Sequence, residues 1–404
     1  TFVCSALGAF EVSTSEAFVA AVESALPGDV IEIQAGSYTG VCSINIRKSL
    51  TITGIGQVNL DCGGQASQLS VSGNETRVAL NNLAFVQGLS RLDGGCIYVS
   101  SGANLGATRC SFSECMADGR GGAIFVQDSA TVLLHQATFS QCHANRGGAI
   151  GVQGPTSSVS MEGCSLINNS AAGDGGGVFL ESASISIQDD STFQGNVAQR
   201  GGGIAAMPTF NSTHSCSISI ERNAVFQGNV AEVLGGGIYF LGSGSLVSSD
   251  VTFVGNIASS SLSSAGGALY IDGPVAALIT GASAITNCSA RRGGALWIGG
   301  GCHLEVRAGP VISHNMASLD GGALYGVGGE TLLHFEDRVR IEYNMAQWGG
   351  AIILVQGPSL NFFHDIDLSN NQGTSGGGAL IYFLNTVKTL GQVRIHNNHA
   401  ARDG

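Results

Sequence analysis

The sequence contains few charged residues. Lys, Arg, Asp and Glu together make up 11% of the 404 residues, against about 25% in ordinary globular proteins. The balance is acidic, with 17 Lys and Arg, 29 Asp and Glu, and a formal net charge of −12. Nucleic acids and anionic membrane surfaces bind basic patches, so we exclude nucleic acid as a partner.

Proline and long apolar runs are also scarce. Six prolines and a hydrophobic content of 44% argue against intrinsic disorder. No apolar stretch approaches the roughly 18 residues that a membrane span needs, so we expect no membrane insertion by this segment. The sequence also lacks a Cys-x-x-Cys motif and clustered Cys and His ligands. It therefore predicts no metal site and no cofactor.

Glycine, with 61 residues, is abundant and arranged in a repeat. A Gly-Gly pair followed by a small and then an aliphatic residue recurs every 26 to 34 residues. The copies begin at Gly94, Gly121, Gly147, Gly175, Gly201, Gly235, Gly266, Gly293, Gly321, Gly349 and Gly377, and Gly404 opens a further one. Units of this length cannot bury an apolar face alone, so they must stack on their neighbours.

A second anchor lies about 20 residues after most Gly-Gly pairs. It consists of an aromatic or aliphatic residue, two further residues and an Asn, as in Phe193 to Asn196 and Phe226 to Asn229. A repeat of about 28 residues fits three short strands with turns, each pairing in parallel with the same strand one coil away at about 4.8 Å. Asn tolerates a left-handed backbone at a turn, and stacked Asn amides can bond from rung to rung. We predict an all-β, single-stranded parallel β-helix of about 13 to 14 coils.

The first 40 residues differ from the repeats. Thr14 or Ser15 can cap a short helix with Glu16 in its first turn. Its apolar face comprises Ala17, Phe18, Ala21, Val22 and Leu26. We predict that this helix covers the end of the stack, where a first coil exposes core and strand edges. We assign residues 1–40 to the cap helix and first strands, and residues 41–404 to a repeat body that continues beyond the C-terminal end.

Two families resemble parts of the chain. The segments Pro27-Gly28-Asp29-Val30-Ile31, Gly36-Ser37-Tyr38 and Leu50-Thr51-Ile52 resemble the opening coils of pectate-lyase-like right-handed parallel β-helices. The pairing of Gly-Gly-Ala-Ile/Leu with Phe-x-x-Asn, over roughly residues 85–404, resembles the repeats of the chlamydial polymorphic outer-membrane proteins. The first resemblance implies a right-handed helix, and the second implies a β-helical adhesin.

Eleven cysteines and four N-glycosylation sequons favour a secreted glycoprotein, extracellular or at the cell surface. The sequons lie at Asn74, Asn168, Asn211 and Asn287.

Two disulfides are predicted from position. Cys115 and Cys142 occupy the Asn position in consecutive coils, at a stacking distance of about 4.8 Å that a disulfide accepts. Cys4 and Cys42 would fasten the cap to the first coils. Cys62 could meet Cys96 or Cys110, and Cys288, at another Asn position, is predicted to be a free buried thiol.

The residue after the inward aliphatic residue of each motif should point outward. It forms a predicted stripe, named here the aromatic stripe: Tyr98, Phe125, Phe179, Tyr239, Tyr270, Trp297, Tyr325 and Ile353. A continuous apolar surface of this kind usually marks an interaction site. Three interpretations remain open, namely contact with other copies or domains of a surface assembly, stacking on sugar rings, and in-register stacking that stabilises the sheet.

Candidate catalytic groups are sparse. Asp189-Asp190 is the only adjacent pair of aspartates and is interpreted as a solvated turn, while Glu336-Asp337 beside Arg338 fits a surface ion pair. We therefore predict a non-enzymatic structural or adhesive segment of a larger surface protein or filament, with no catalytic residues. The alternative is a polysaccharide-binding or polysaccharide-cleaving β-helix protein, with glycans as partners. Acidic and basic side chains together in one groove would favour the enzyme.

Overall fold

The computed structural model describes residues 9–209, 213–382, 386–389 and 391–401. Within them the chain is an all-β, right-handed parallel β-helix of about 13 turns with one short helix. The predicted fold class is confirmed. The chain divides into two compact units, one formed by Thr1–Ala172 and Gly177–Ile185, the other by Gly173–Gly176 and Ser186–Gly404.

The helix spans Ser15–Ser24 and begins as predicted. The Thr14 hydroxyl accepts a hydrogen bond from the Ala17 N–H at 3.1 Å, which satisfies an amide of the first turn. Phe18 is buried beneath the helix, whereas Leu26, predicted on the same face, is 64% exposed. The backbone leaves the helical conformation at Ala25, so Leu26 does not continue that face. No helix among the described residues has the length and apolarity needed to cross a membrane.

Each repeat forms one turn of four short strands, one more than predicted. In one turn, Ile97–Ser100 belongs to sheet 1, Asn104–Thr108 and Ser111–Ser113 to sheet 2, and Met116–Arg120 to sheet 3. Sheet 2 bends between its two strands of each turn. Inward and outward side chains alternate along a strand, and parallel pairing repeats this pattern in the next turn.

In the first unit, sheet 1 contains Ile44–Ile46, Leu69–Ser72, Ile97–Ser100, Ile124–Val126, Ile150–Gln153 and Val178–Glu181. Sheet 2 contains Ala9–Val12, Val30–Thr39, Leu50–Asp61, Arg77–Asn81, Ala84–Val86, Asn104–Thr108, Ser111–Ser113, Thr131–His135, Thr138–Ser140, Ser158–Glu162 and Ser165–Ile167. Sheet 3 contains Leu89–Ser90, Met116–Arg120, His143–Arg146 and Ser170–Ala171. A further sheet 2 strand, Ser184–Gln188, begins in this unit and ends in the second.

In the second unit, sheet 1 contains Ile204–Met207, Ile238–Leu241, Leu269–Asp272, Leu296–Gly299, Leu324–Val327, Ile352–Val355 and Leu380–Tyr382. Sheet 2 contains Thr192–Gln194, Cys216–Ile220, Val225–Gln227, Gly244–Ser249, Thr252–Val254, Val275–Thr280, Ala284–Thr286, His303–Arg307, Val311–Ser313, Leu332–Glu336, Arg340–Glu342, Ser359–Phe362, Ile366–Ser369, Thr386–Thr389 and Val393–His396. Sheet 3 contains Val197–Arg200, Val230–Leu234, Ile257–Ala258, Ser289–Arg292, Met316–Asp320, Met345–Trp348, Gln372–Gly376 and His399–Ala400.

Inside the second unit, the Asn residues of the second anchor form a buried hydrogen-bonded ladder. The Asn196 Nδ2 donates to the Asn229 Oδ1 at 2.9 Å, and the Asn229 Nδ2 donates to the Asn256 Oδ1 at 2.9 Å. The predicted rung-to-rung bonding is therefore present. The left-handed backbone, however, belongs to the preceding residue, for example Gly195 with φ 62° and Gly228 with φ 59°.

The Gly-Gly pair is required by close approach of neighbouring turns. At Gly121, φ is 64°, a conformation that glycine adopts without strain. A Cβ on Gly122 would collide with the carbonyl oxygen of Gly148 one turn away. The repeat signature thus marks where the backbone of one turn packs directly on the next.

The predicted disulfide between Cys115 and Cys142 is wrong. Cys115 bonds to Cys96 with a Cα separation of 5.6 Å, and Cys142 is a buried thiol. Cys96 follows the Gly-Gly pair that opens this turn and Cys115 follows the third strand, so the bond crosses one turn. Cys42, expected to pair with Cys4, bonds instead to Cys62 at a Cα separation of 5.3 Å, and Cys4 lies outside the described residues.

Candidate active site

The aromatic stripe is largely covered. Phe125 and Phe179 have no exposed surface, Tyr239, Tyr270, Tyr325 and Ile353 are buried, and Tyr98 and Trp297 are half-buried. The stripe is therefore not the exposed apolar surface that was expected. Strand alternation does place these side chains away from the core, but the chain segment before each Gly-Gly pair packs over them.

Arginines at the position just before Gly-Gly provide much of this cover. The Arg120 guanidinium lies 4.6 Å from the Phe125 ring centroid, and Arg146 lies over Phe179 at 5.3 Å. In the second unit Arg200 lies over Tyr239 and Arg292 over Tyr325. Burial raises the pKa of Tyr239 and of Tyr325. These cation–π contacts make the stripe part of the packing.

The covering arginines are held by acidic partners. Arg120 bonds Asp93 at 3.1 Å and Glu181 at 2.9 Å. Arg200 bonds the buried Asp174 at 2.7 Å. Such pairs neutralise charge over the aromatic rings, which leaves these side chains with a structural role.

Three predicted sequons lie on the surface. Asn74, Asn168 and Asn287 are exposed, and Asn211 lies outside the described residues. Asn168 and Asn287 adopt a left-handed backbone at φ 54° and 55°, in the turn after the third strand. Their use as glycosylation sites stays a prediction.

Asp189 and Asp190 lie in a left-handed turn at φ 49° and 57°. The Asp189 carboxylate is 3.3 Å from the exposed Arg222 guanidinium. This arrangement agrees with the predicted solvated turn.

An open cleft in the second unit collects opposite charges at the bend of sheet 2. It has a volume of about 520 Å³, and its charged lining residues are Arg338, Arg340, Asp365, Asp367 and Arg394. Parallel pairing places Arg340, Asp367 and Arg394 side by side on three successive strands. We name this the Arg–Asp cleft.

The charges of the Arg–Asp cleft remain accessible to solvent. Arg394 lies 4.0 Å from Asp365, and Arg338 lies 3.2 Å from Asp337. Both contacts are at the surface, where ion pairs contribute little stability. Arg340 is exposed between them. These guanidinium groups can therefore bind an external carboxylate at small energetic cost.

Asp367 lines this cleft and pairs with His396, which lies outside the lining. The His396 Nε2 lies 3.4 Å from the Asp367 Oδ1. The distance is that of an ion pair, but its geometry is not that of a hydrogen bond, and this buried oxygen accepts none from the described residues. A buried acceptor without a donor is costly, so Asp367 is arranged to accept a bond from a protonated imidazole or a bound hydroxyl.

Sequence reasoning missed this cleft because its members come from separate repeats. Arg340, Asp367 and Arg394 are spaced by one repeat, and each is the first or second residue in the third strand of its turn. Comparing outward positions of equivalent strands would have found them. The pair Asp337 and Arg338 was interpreted as a surface ion pair, which it is, although Arg338 also lines the cleft.

Within the described ranges, no group of three or more His, Cys, Asp or Glu side chains is placed to hold a metal ion.

Comparison with known proteins agrees with the fold. A family model described as a right handed beta helix region matches residues 95–274. No curated protein matches the chain. An alginate lyase from Paenibacillus sp. str. FPU-7 is similar at a TM-score of 0.31 and 11% identity, covering 96% of this chain and 99% of that one.

Two further solved structures are similar at the same level. An alginate lyase in complex with G6 has a TM-score of 0.37 and 13% identity, covering 98% of this chain and 88% of that one. A PL6 family polysaccharide lyase from Pseudopedobacter saltans has a TM-score of 0.28 and 12% identity, covering 94% and 92%. At these identities the likeness is one of fold.

The prediction of a non-enzymatic structural or adhesive segment is wrong. That role and the expectation that the chain is not an enzyme are both contradicted, since the solved structures of similar fold are described as alginate or polysaccharide lyases, although this likeness assigns no activity to the chain. The stripe on which self-association depended is also largely buried.

Proposed function

We propose that the chain binds and cleaves an acidic polysaccharide in the Arg–Asp cleft. The observation that carries this proposal is the presence of acidic and basic side chains in one open groove. Arginine forks bind carboxylates in a bidentate manner, which suits the repeated carboxylates of a uronate polymer. An open cleft admits the interior of a long chain, as an endo-acting enzyme requires.

The side chains present support β-elimination. An arginine such as Arg340 binds the uronate carboxylate and stabilises negative charge that develops on it. His396, oriented by Asp367, removes the proton from the carbon next to that carboxylate. The electron pair forms a carbon–carbon double bond while the bond to the glycosidic oxygen breaks, and that oxygen takes a proton from water or from the imidazolium. The products are a new reducing end and an unsaturated uronate.

The same proposal includes an extracellular location for the protein. Two disulfides and exposed sequons support secretion, where extracellular glycans would be substrates. The resemblance of the repeats to those of polymorphic outer-membrane proteins stays a prediction about the repeat, and it assigns no activity.

Activity on defined polymers tests the proposal. Purified protein is incubated with polygalacturonate, alginate and an uncharged galactan, and products are followed by ultraviolet absorbance and reducing ends. We expect unsaturated ends from an acidic polymer only. His396→Ala should lower the rate by about 100-fold or more, the range of a lost general base, and Arg340→Ala should raise KM.

Matched variants separate a catalytic effect from a general one. His135 forms a similar pair with Glu162 at 3.4 Å in the first unit, and Arg222 is an exposed arginine outside the cleft. His135→Ala and Arg222→Ala should retain full activity. Absence of turnover on every acidic polymer, or activity unaffected by both cleft substitutions, would contradict the proposal; binding without turnover would leave only the binding role.

A further inference from the structure

A pair of aromatic rings on sheet 1 of the first unit ends at Tyr98. The Tyr98 and Phe125 ring centroids are 5.8 Å apart and the ring planes are tilted by 40°. In the preceding turns the same outward position holds Ser70, which pairs in register with Tyr98, and then Asn45, which pairs with Ser70. Small polar residues thus occupy the places where further rings would continue the stack.

A cleft opens at this end of the stack. It has a volume of about 390 Å³, and its lining includes four serines, Asn45, Asp93 and Tyr98. That volume lies within the roughly 300 to 1,000 Å³ typical of small-molecule sites. Arg120, which covers Phe125 in the next turn, does not line this cleft. We name it the Tyr98 cleft.

The lining has the composition of a site for an uncharged polyol. It offers four serine hydroxyls and the Asn45 amide, and it contains no Lys or Arg. Its one carboxylate, Asp93, is already bonded to Arg120 through both oxygens. An anionic ligand would find no free cation here, because the Arg120 guanidinium is already taken up by Asp93 and Glu181. Hydroxyl groups, by contrast, can bond the serines and the amide.

Spacing favours a ring stacked on Tyr98. Adjacent strands lie about 4.8 Å apart, and stacked rings prefer centroid separations of about 4.5 to 7 Å. A planar or chair-shaped ring above Ser70 would therefore lie at stacking distance from Tyr98. The hydroxyls at its edge would face the surrounding serines.

We infer that the Tyr98 cleft binds a neutral sugar ring of a glycan chain, stacked on Tyr98 in the place of the next aromatic side chain. The site lies entirely in the first unit and uses none of the residues of the Arg–Asp cleft. It is a binding site without catalytic groups, and it does not depend on the proposed cleavage reaction.

Binding of defined oligosaccharides tests this inference. Calorimetric titrations of the whole chain with cellohexaose, mannohexaose and galactohexaose are compared with a hexagalacturonate titration. We expect at least one neutral hexasaccharide to bind and the acidic one not to compete for this site. Ser70→Tyr should fill the cleft by extending the stack and weaken binding about tenfold or more.

Tyr98→Phe is the matched variant, because it keeps the ring and removes only the hydroxyl that Gln127 bonds at 2.6 Å. It should retain binding. Thermal melting of both variants near the wild-type temperature shows that the fold is intact. The inference is overturned if no neutral hexasaccharide binds at millimolar concentration, or if Ser70→Tyr binds as well as the wild type. Cleavage activity is unchanged in both variants, so failure here is distinct from failure of the proposed function.

Discussion

Cys288 interrupts the buried Asn ladder of the second unit. Each ladder Asn presents its Oδ1 to the amide of the preceding rung, as Asn315 does to Cys288 at 2.9 Å. At Cys288 the acceptor is a thiol, and the Asn256 Nδ2 lies 3.9 Å from its sulfur. A sulfur is a weak acceptor, so this rung is the weakest link of the ladder.

Replacing Cys288 by Asn should stabilise the protein. The side chains have similar size, and the new Oδ1 would accept from Asn256 while the new Nδ2 donates to the Asn315 Oδ1. We expect the free energy of unfolding in urea to rise by about 1 kcal/mol, the net contribution of one such bond. Cys302→Asn is the control, because Cys302 is buried outside the ladder and an amide there should be destabilising. Equal effects of the two substitutions would contradict the argument.

The inward residues and ladder positions could be predicted from the repeat because they depend only on strand alternation and stacking. The disulfide between Cys96 and Cys115 could not. Its partners belong to one turn and meet across its interior, whereas sequence reasoning considered stacked positions in consecutive turns. Which residues of one turn lie opposite each other depends on where sheet 2 bends. The residue pattern along the repeat does not indicate the position of that bend.

At the scale of the element, the segment before each Gly-Gly pair determines whether the aromatic stripe is exposed or covered. Alternation within a strand correctly placed Phe125 away from the core, but its cover comes from Arg120 in a neighbouring segment. The same limit applies to the Arg–Asp cleft, since Arg340, Asp367 and Arg394 become a site only when three strands align. Contacts between turns, and not patterns within one, therefore determine both surfaces.

Removing a covering arginine should destabilise the first unit. The Arg120 side chain is 24% exposed and its partners Asp93 and Glu181 are 18% and 16% exposed. Arg120→Ala would leave two largely buried carboxylates without a cation and uncover Phe125, at a cost of roughly 2 to 3 kcal/mol. Urea titration followed by circular dichroism measures this loss.

Arg222→Ala is the control for that measurement. Its ion pair with Asp189 is 61% and 37% exposed, so the expected loss is below about 0.5 kcal/mol. If both substitutions cost the same, the covering arginines are surface residues and the explanation of the buried stripe is wrong.

At the scale of the molecule, buried thiols make the whole fold sensitive to alkaline pH. Burial raises the pKa of Cys142, Cys288 and Cys302 from 9.0 to about 12. Burial also raises the pKa of Tyr270, where Asp272 adds to the effect. All of these groups retain their protons in the folded protein at a pH where the unfolded chain releases them.

The free energy of unfolding should therefore fall as pH rises through the window from about 9 to about 12. Below pH 9 the folded and the unfolded protein both hold the thiol proton, so these groups do not change the free energy of unfolding there. Above pH 9 the unfolded protein binds fewer protons than the folded one. Each thiol then lowers the free energy of unfolding by about 1.4 kcal/mol per pH unit. Urea unfolding at several pH values in this window measures the slope. Cys288→Asn removes one titrating group, so the free energy of unfolding of this variant should fall less steeply with pH, by the equivalent of about one proton. A slope equal to that of the wild type would show that the Cys288 thiol is not protected by burial.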